Sequence, residues 1–599
     1  MRERCAKLVL FVVVGVLSGS VTHARAATVR KSSKAGRGSA SAVLRSLSLH
    51  DRIAQLIIVR EYGDYPRADD PEYKAFLRLV REDRVGGFIV ANRLHDGSVV
   101  NAEPFEMAAF INHMQREART PLLVASDFER GASMRVAETA KFPYLMAFGA
   151  AHDFAATRGL GAATAREARA LGVTWVFAPD ADVNNNPDNP IINTRSYGGD
   201  PQTVADGVSA FIEGAHSDER NYVLVTAKHF PGHGDTAEDS HIQLAVLDQP
   251  KERIESLELV PFRAAIAHGV DAVMSAHMAV SAFEPEHVPA TVSRNILTGL
   301  LRDELGFKGL IVTDAMDMQG VTSLFSQGEA AARAIEAGAD VILMPSDVEG
   351  AIRGIMRAVE TGRISRARID ASVLKVLAAK QRVGLFQSRV VSLDELSDVI
   401  KNPQFDEHAQ TVADAAVTLL KDDHHLFPMP EGGDSCLVVM TEGPFSTRGQ
   451  ALAKRLESRD PELTMYLVNP TTPESILGAI ADDAAECDRI YVAAFIAVSA
   501  YRGNVSLAPE LNSFMRDLVD THVPLALVSL GNPYLARDFP DVKSYATTFS
   551  TTATSEIAAA RAIVGEISIT GKTPVLIPGV ANVGDGLYVP AKGKTASNP

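Results

Sequence analysis

A chain of 599 residues is too long for one small binding module, and 46% hydrophobic with 22% charged residues is ordinary globular usage, which excludes bulk disorder. The 59 Lys and Arg against 74 Asp and Glu leave a formal charge of -15, a field that repels a phosphate backbone, so nucleic acid is not an expected partner.

In chain order the first element is a leader. Arg2, Arg4 and Lys7 precede the apolar run Leu8–Leu17, and Ala24-Arg25-Ala26 forms a small-x-small cleavage site, so residues 1–26 read as a secretory signal peptide cut after Ala26. The run is shorter than the ~20 residues that span a bilayer, which predicts export to the periplasm or the medium and no membrane association after cleavage. Of the 3 cysteines, Cys5 leaves with the leader, and Cys436 and Cys487 allow one disulfide at most. Residues 27–41, rich in Ser, Lys, Arg and Gly, predict a flexible tether, with folded structure starting near Ala42.

Eight short β-branched runs follow: Gln55–Val59, Gly87–Ala91, Leu122–Ser126, Thr174–Ala178, Val223–Ala227, Ala272–Ala276, Leu310–Thr313 and Val341–Met344. Helical patterns such as Glu72–Glu82, Phe105–Ala118, Asp153–Leu171, Gln202–His216, Glu255–Ala267 and Arg294–Leu305 separate them. This alternation implies parallel strands with helical crossovers, and eight units over residues 42–385 fit a (β/α)8 TIM-type barrel, with an open doubly wound sheet as the alternative. The helical stretch Arg366–Val383 closes the region, and 386–405 reads as a linker. Residues 406–589 predict a C-terminal three-layer parallel α/β sandwich with strands Cys436–Met440, Met465–Val468, Ile490–Phe495, Leu525–Leu530 and Ser544–Thr548, followed by a disordered polar tail, 590–599.

Polar residues gather just past the barrel strands: Asn92, Asp127, Asp180, Lys228 with His229, His277 and Asp314. Any one of them could cap a helix, but C-terminal strand ends are where a barrel builds its active site. The densest chemistry is KHFPGHGDT, Lys228–Thr236, followed by Glu238, Asp239, Ser240 and His241. Pro231, Gly232 and Gly234 prevent regular helix there, so the segment is a shaped loop. A metal site is disfavoured because no preorganised HExxH or paired CxxC set is present. His233, between two glycines, is expected to hydrogen-bond within the loop. Asp239 and His241, two apart on a tight turn, can pair so that the carboxylate fixes the imidazole tautomer, an arrangement suited to general acid/base work.

This loop, with ASDFERG at 125–131, NTRSYGGDP at 193–201 and IVTDAMDM at 311–318, resembles glycoside hydrolase family 3, most closely its bacterial β-N-acetylglucosaminidase branch. The resemblance runs from about Ala42 to the chain end, including the LKDD and SLGNPY segments of the second domain. It implies Asp314 as the catalytic nucleophile, His241 as acid/base, Asp239 as its dyad partner, and Asp127, Arg195, Lys228 and His229 as ligands of the terminal sugar's hydroxyls. The chain departs from the family where a Gln and a glycine pair are usual: Phe128 and Arg130-Gly131 stand there, with Asp127 and Glu129 in register. The implied activity is a retaining exo-β-N-acetylglucosaminidase acting on an oligosaccharide or glycopeptide from cell wall or chitin. No cofactor and no metal are expected. A phosphorylase, a β-glucosidase, and a catalytically silent glycan-binding module are the alternatives.

Overall fold

The computed structural model describes residues 40–95, 98–498, 503 and 505–593, so the expected leader and nearly all of the expected tether lie outside the described residues. Ala40 and Ser41, assigned to the tether by composition, instead open a helix, Ala40–Ser46. Ala40 is buried and its N–H reaches Gln381 Oε1 at 3.4 Å. The apolar positions Ala40, Val43, Leu44 and Leu47 pack on the barrel's core, which outweighs the polar composition just upstream.

Eight strands form one parallel sheet: β1 (Ile57–Glu61), β2 (Gly87–Val90), β3 (Leu123–Ser126), β4 (Trp175–Val176), β5 (Leu224–Phe230), β6 (Ala272–Ser275), β7 (Leu310–Thr313) and β8 (Ile342–Leu343). Neighbours in sequence are neighbours in space from β1 to β7, and β8 pairs with β1 through Ile57–Ile342 and Ile58–Leu343. A parallel bridge between Val312 and Val341 joins β7 to β8, which brings the sheet around into a barrel rather than an open sheet. Every residue of β2, β3, β5, β6 and β7 is buried, as expected of strands covered inside and out. Helices begin where the sequence supplies a cap: Asp153 accepts from the Ala156 N–H at 3.0 Å, and Asp200 accepts from the Thr203 N–H at 2.8 Å with Pro201 in the first turn. The stretch expected as one helix over Glu255–Ala267 is two, Lys251–Ser256 and Leu259–Ala267, with Leu257 as the non-helical break.

The segment 386–405 lies against the barrel, with a short helix at Leu393–Leu396 and Leu396 and Ile400 buried in the barrel's core. Helix Pro403–Ala416 then leads into the second domain, whose sheet comprises β9 (Thr418–Asp422), β10 (Ser435–Met440), β11 (Thr464–Val468), β12 (Arg489–Ile496), β13 (Leu525–Gly531) and β14 (Ser544–Thr547). Its order is β9-β14-β13-β12-β10-β11, with helices and separate apolar cores on both faces. The five expected strands are parallel, but the sheet is mixed, because β9 is an antiparallel edge on β14. The strand was hidden by its charged end, Lys421-Asp422, which an edge tolerates and a central strand does not. Cys436 and Cys487 form a disulfide.

The two domains share an apolar contact of Met146, Ala147 and Ala150 with Ala416, Tyr534, Phe549, Val575 and Ile577. The end of the chain returns across it: the Lys572 N–H donates to Ala150 O at 3.0 Å and the Gly199 N–H to Pro574 O at 2.9 Å. Residues 590–593, assigned to the disordered tail, are instead tied down, since the Ala591 N–H donates to Ser568 Oγ at 3.0 Å and Lys592 Nζ to Met429 O at 3.1 Å. A backbone N–H bond and a lysine anchor hold a segment whose polar composition alone argues for fraying. Among the described residues, no helix is long and apolar enough to cross a membrane.

Candidate active site

A cavity of about 640 Å³ opens at the C-terminal ends of the barrel strands. Asp127 follows the last residue of β3, Lys228 and His229 are on β5, and Asp314 follows β7, so three strands aim four of the sequence-selected side chains into it. Arg195 enters from a 3-10 turn, Asn193–Arg195, and His241 from the loop after β5. Asp127, Arg195, Lys228, His229, His241 and Asp314 therefore line one space. Asp239 does not line it; at 1% side-chain exposure it backs His241.

The His241 pair has the geometry its spacing suggests. Asp239 Oδ1 accepts from the His241 backbone N–H at 2.9 Å and meets Nδ1 at 2.8 Å. A carboxylate accepts only, so Nδ1 carries a proton, and Nε2 is the ring nitrogen at which a proton can be exchanged. Gly234 is needed earlier in this loop, because a Cβ there would lie 1.8 Å from Val183 O. His233 bonds within the loop, through Nδ1 to Thr236 Oγ1 at 2.7 Å, and burial pushes it down to about 4, which keeps it neutral.

Another part of the cavity lining is a charged lattice. Lys228 Nζ sits 3.0 Å from Asp127 Oδ1 and 2.7 Å from Glu129 Oε1, and Arg195 grips Glu129 with Nε at 3.0 Å and Nη2 at 2.7 Å. Arg135 Nη2 completes it, 2.9 Å from the second oxygen of Asp127. Burial pushes the Asp127 carboxyl up, but Lys228 and Arg135 outweigh it and hold the group at about 2. Glu129 is likewise held well below the usual range, burial being overcome by Arg195 and Lys228. The wall is thus ionised and rigid, and two-ended ion pairs of this kind fix donors and acceptors for hydroxyl groups.

Asp314 is also ionised: burial opposes this, but His229, His277 and His241 and the Ala315 N–H, 2.7 Å from Oδ1, bring it below its ordinary value. His277 faces it with Nδ1 on Thr291 Oγ1 at 2.8 Å and Nε2 donating to Ala315 O at 2.9 Å.

Asp180, Asp182 and His229 present ligand atoms within 4.8 Å of one another, the one such group among the described residues. Most of its ligand atoms are otherwise engaged, while the buried Asp180 Oδ2 has no hydrogen-bond partner among the described residues. Asp182 accepts from His229 Nδ1 at 2.8 Å and from the His233 N–H at 2.6 Å, and Arg195 approaches Asp180 at 3.6 Å. Burial and the neighbouring Asp182 carboxylate push Asp180 well above the usual range. Asp182 is thus a hydrogen-bonded support for His229.

Sequence reasoning did not assign roles to Glu129, Arg135, Asp182, Arg60, Tyr62 or Val498, the last two and Arg60 being cavity walls. Asp182 carried a signal, since it follows β4 at the active-site end. Val498 carried none, because it comes from the second domain.

Against known proteins, the pattern described as "Glycosyl hydrolase family 3 N terminal domain" matches residues 48–379. A Cellulomonas fimi protein named "Beta-N-acetylglucosaminidase/beta-glucosidase" is 29% identical over 552 residues, 89% of this chain and 94% of that protein. A Xylella fastidiosa (strain 9a5c) "Beta-hexosaminidase" is 34% identical over 327 residues, 52% of this chain and 92% of its own length. Among solved structures, a glycoside hydrolase family 3 β-N-acetylglucosaminidase from Paenibacillus sp. str. FPU-7 superimposes with a TM-score of 0.78 at 32% identity, covering 89% of this chain and 99% of that one.

Proposed function

This chain belongs to glycosyl hydrolase family 3, and we propose that within it the protein is a retaining exo-β-N-acetylglucosaminidase, exported and acting on cell-wall or chitin-derived glycans. The observation that carries the mechanism is one cavity lined by an ionised Asp314 and by His241, whose Nδ1 is held on Asp239. In this reading an Asp314 oxygen attacks the anomeric carbon while His241 Nε2 delivers its proton to the departing glycosidic oxygen, leaving a glycosyl ester on Asp314. His241 Nε2 then takes a proton from water, the water oxygen attacks the anomeric carbon, and Asp314 is released as carboxylate. Two inversions return the β configuration. Asp127, Arg195, Lys228 and His229 orient the terminal sugar, and the relatives' names support N-acetylglucosamine as that sugar. The double name of the Cellulomonas relative supports β-glucosidase activity as a second reading.

The test is release of aryl alcohol from aryl-β-N-acetylglucosaminide and aryl-β-glucoside, with and without phosphate, with the product identified. Preferred cleavage of the former to free sugar with retained configuration is expected. A sugar phosphate product would make the protein a phosphorylase, and inverted configuration would remove Asp314 as nucleophile. A slow fluorinated substrate should label Asp314, and export predicts a mature N-terminus at Ala27, both read by mass spectrometry.

A further inference from the structure

The second domain reaches the active site through an asparagine-rich hub. The barrel segment Asn184–Arg195 contains Asn184, Asn185, Asn186, Asn189 and Asn193 and ends on the sugar-facing Arg195. One side of the hub holds the loop that leads to His241: Asn189 Nδ2 donates to His233 O at 2.8 Å and Thr236 O at 2.9 Å, and Asn185 Nδ2 to Asp235 Oδ1 at 3.0 Å. Within it, Asn189 Oδ1 accepts the Ile191 and Ile192 N–H groups at 3.0 and 2.7 Å, and Ile191 O accepts from Arg195 Nη1 at 2.9 Å. On the other side, two of its side-chain amides take partners from the second domain. Asn184 Nδ2 donates to the Tyr534 hydroxyl at 2.8 Å, Asn184 Oδ1 accepts the Asn193 N–H at 2.9 Å, and Asn193 Nδ2 donates to Asn532 Oδ1 at 3.3 Å.

Asn532 and Tyr534 belong to a tight turn at the end of β13. Gly531 starts it at φ +111°, with a virtual Cβ only 2.0 Å from Ile496 O, so no larger residue fits. Ser529 Oγ donates to Asn532 O at 2.6 Å, and Tyr545 OH to Pro533 O at 2.9 Å, fixing the turn from below. Asn532 Nδ2 donates to Val505 O at 2.6 Å, in the same β12–β13 connection that supplies Val498 to the cavity.

We propose that the Asn532-Pro533-Tyr534 turn is a positioning element of the active site: through Asn184 and Asn193 it sets the loop that carries Arg195, and through Asn189 it couples that loop to the one bearing His241. Neither Asn532 nor Tyr534 lines the cavity; both act through other residues. Buried side-chain amides have few alternative partners, so loss of one bond leaves a polar group unsatisfied and the loop free to shift. The kinetic part of this inference rests on the glycosidase reading above; the structural part does not.

The experiment compares full-length wild type with Tyr534→Phe, Asn532→Ala and a control, Thr554→Ala, which removes a different interdomain bond, Thr554 Oγ1 to Lys141 O at 2.9 Å. Tyr534→Phe deletes one oxygen and keeps the ring in the domain contact. Expected is faster amide hydrogen exchange at 184–195 and 233–241 in both turn variants and not in the control, confined to those segments in Tyr534→Phe. In the same variants kcat/KM on the aryl glycoside should fall by about 5- to 100-fold, the range for one lost buried hydrogen bond, with Tm close to wild type. Unchanged exchange at those segments in both variants overturns the proposal, as does a fall in activity accompanied by faster exchange across the whole second domain, which marks a merely structural role. Should wild type cleave neither aryl glycoside, the glycosidase reading falls, and exchange alone decides the coupling.

Discussion

His241 concentrates the chemical argument into one nitrogen. With Nδ1 committed to Asp239, only Nε2 can donate to a leaving group and then accept from water. Removing it should cost about 10²–10⁴-fold on natural glycosides, the usual worth of general acid/base assistance. An aryl leaving group departs without a proton, so His241→Ala should show a burst of aryl release and then a slow steady state that an added nucleophile accelerates. Equal slowing of natural and aryl substrates, with no response to azide, would leave His241 a binding residue. The neighbouring Asp180, Asp182 and His229 set a second test. Because Asp182 is occupied by His229 Nδ1 and the His233 N–H, and Arg195 competes for Asp180, a chelator should leave aryl hydrolysis unchanged. Zinc-specific restoration after dialysis would reverse that reading.

At the scale of elements, the strands were legible because eight β-branched runs each occupy one barrel position, and their C-terminal ends collect the polar residues that line the cavity. What the sequence hid were long-range partners. Glu129 is two residues past Asp127, but its meaning depends on Arg195 and Lys228, 66 and 99 positions away, and no local pattern encodes those pairs. The helices hid a comparable feature. Lys380 lies on the helix Arg366–Arg382 that packs on the barrel, fully buried, with Gln55 Oε1 at 2.6 Å as its hydrogen-bond partner. Burial pushes its ammonium down to about 7. The unfolded chain, with a lysine near its ordinary value, therefore holds more protons than the folded one between pH 7 and 10.5, and stability from this group rises with pH across that window. Lys380→Met should flatten that rise, which has a limiting slope of about 1.4 kcal/mol per pH unit, and should raise stability most at or below neutral pH, less the cost of orphaning Gln55 Oε1. Denaturant titrations at pH 7 and 9.5 measure it; an equal pH dependence in both proteins would show that water or a conformational shift solvates the ammonium.

At the scale of the molecule, the question is why a barrel that holds every proposed catalytic residue carries a second domain. The Xylella relative matches 52% of this chain over 92% of its own length, so a barrel-sized protein of this kind exists without an equivalent of the whole. Here, however, the barrel is built to be covered. Met146 and Ala147 on the helix Leu145–Ala151 are fully buried against the second domain, Asn184 and Asn193 take their outer partners from Tyr534 and Asn532, and Val498 forms part of the cavity wall. Cutting the chain after residue 402 would expose that apolar patch and replace the second-domain partners of the Asn184 and Asn193 Nδ2 groups by water, which does not fix the loop in one position. The barrel alone is therefore expected to self-associate on size exclusion and to lose more activity than Tyr534→Phe, because it forfeits the cavity wall as well as the hydrogen bonds. A monodisperse barrel with full aryl glycosidase activity would mean that the second domain serves only to hold longer glycans or the chain's surroundings, and that the loop bearing Arg195 is set by the barrel itself.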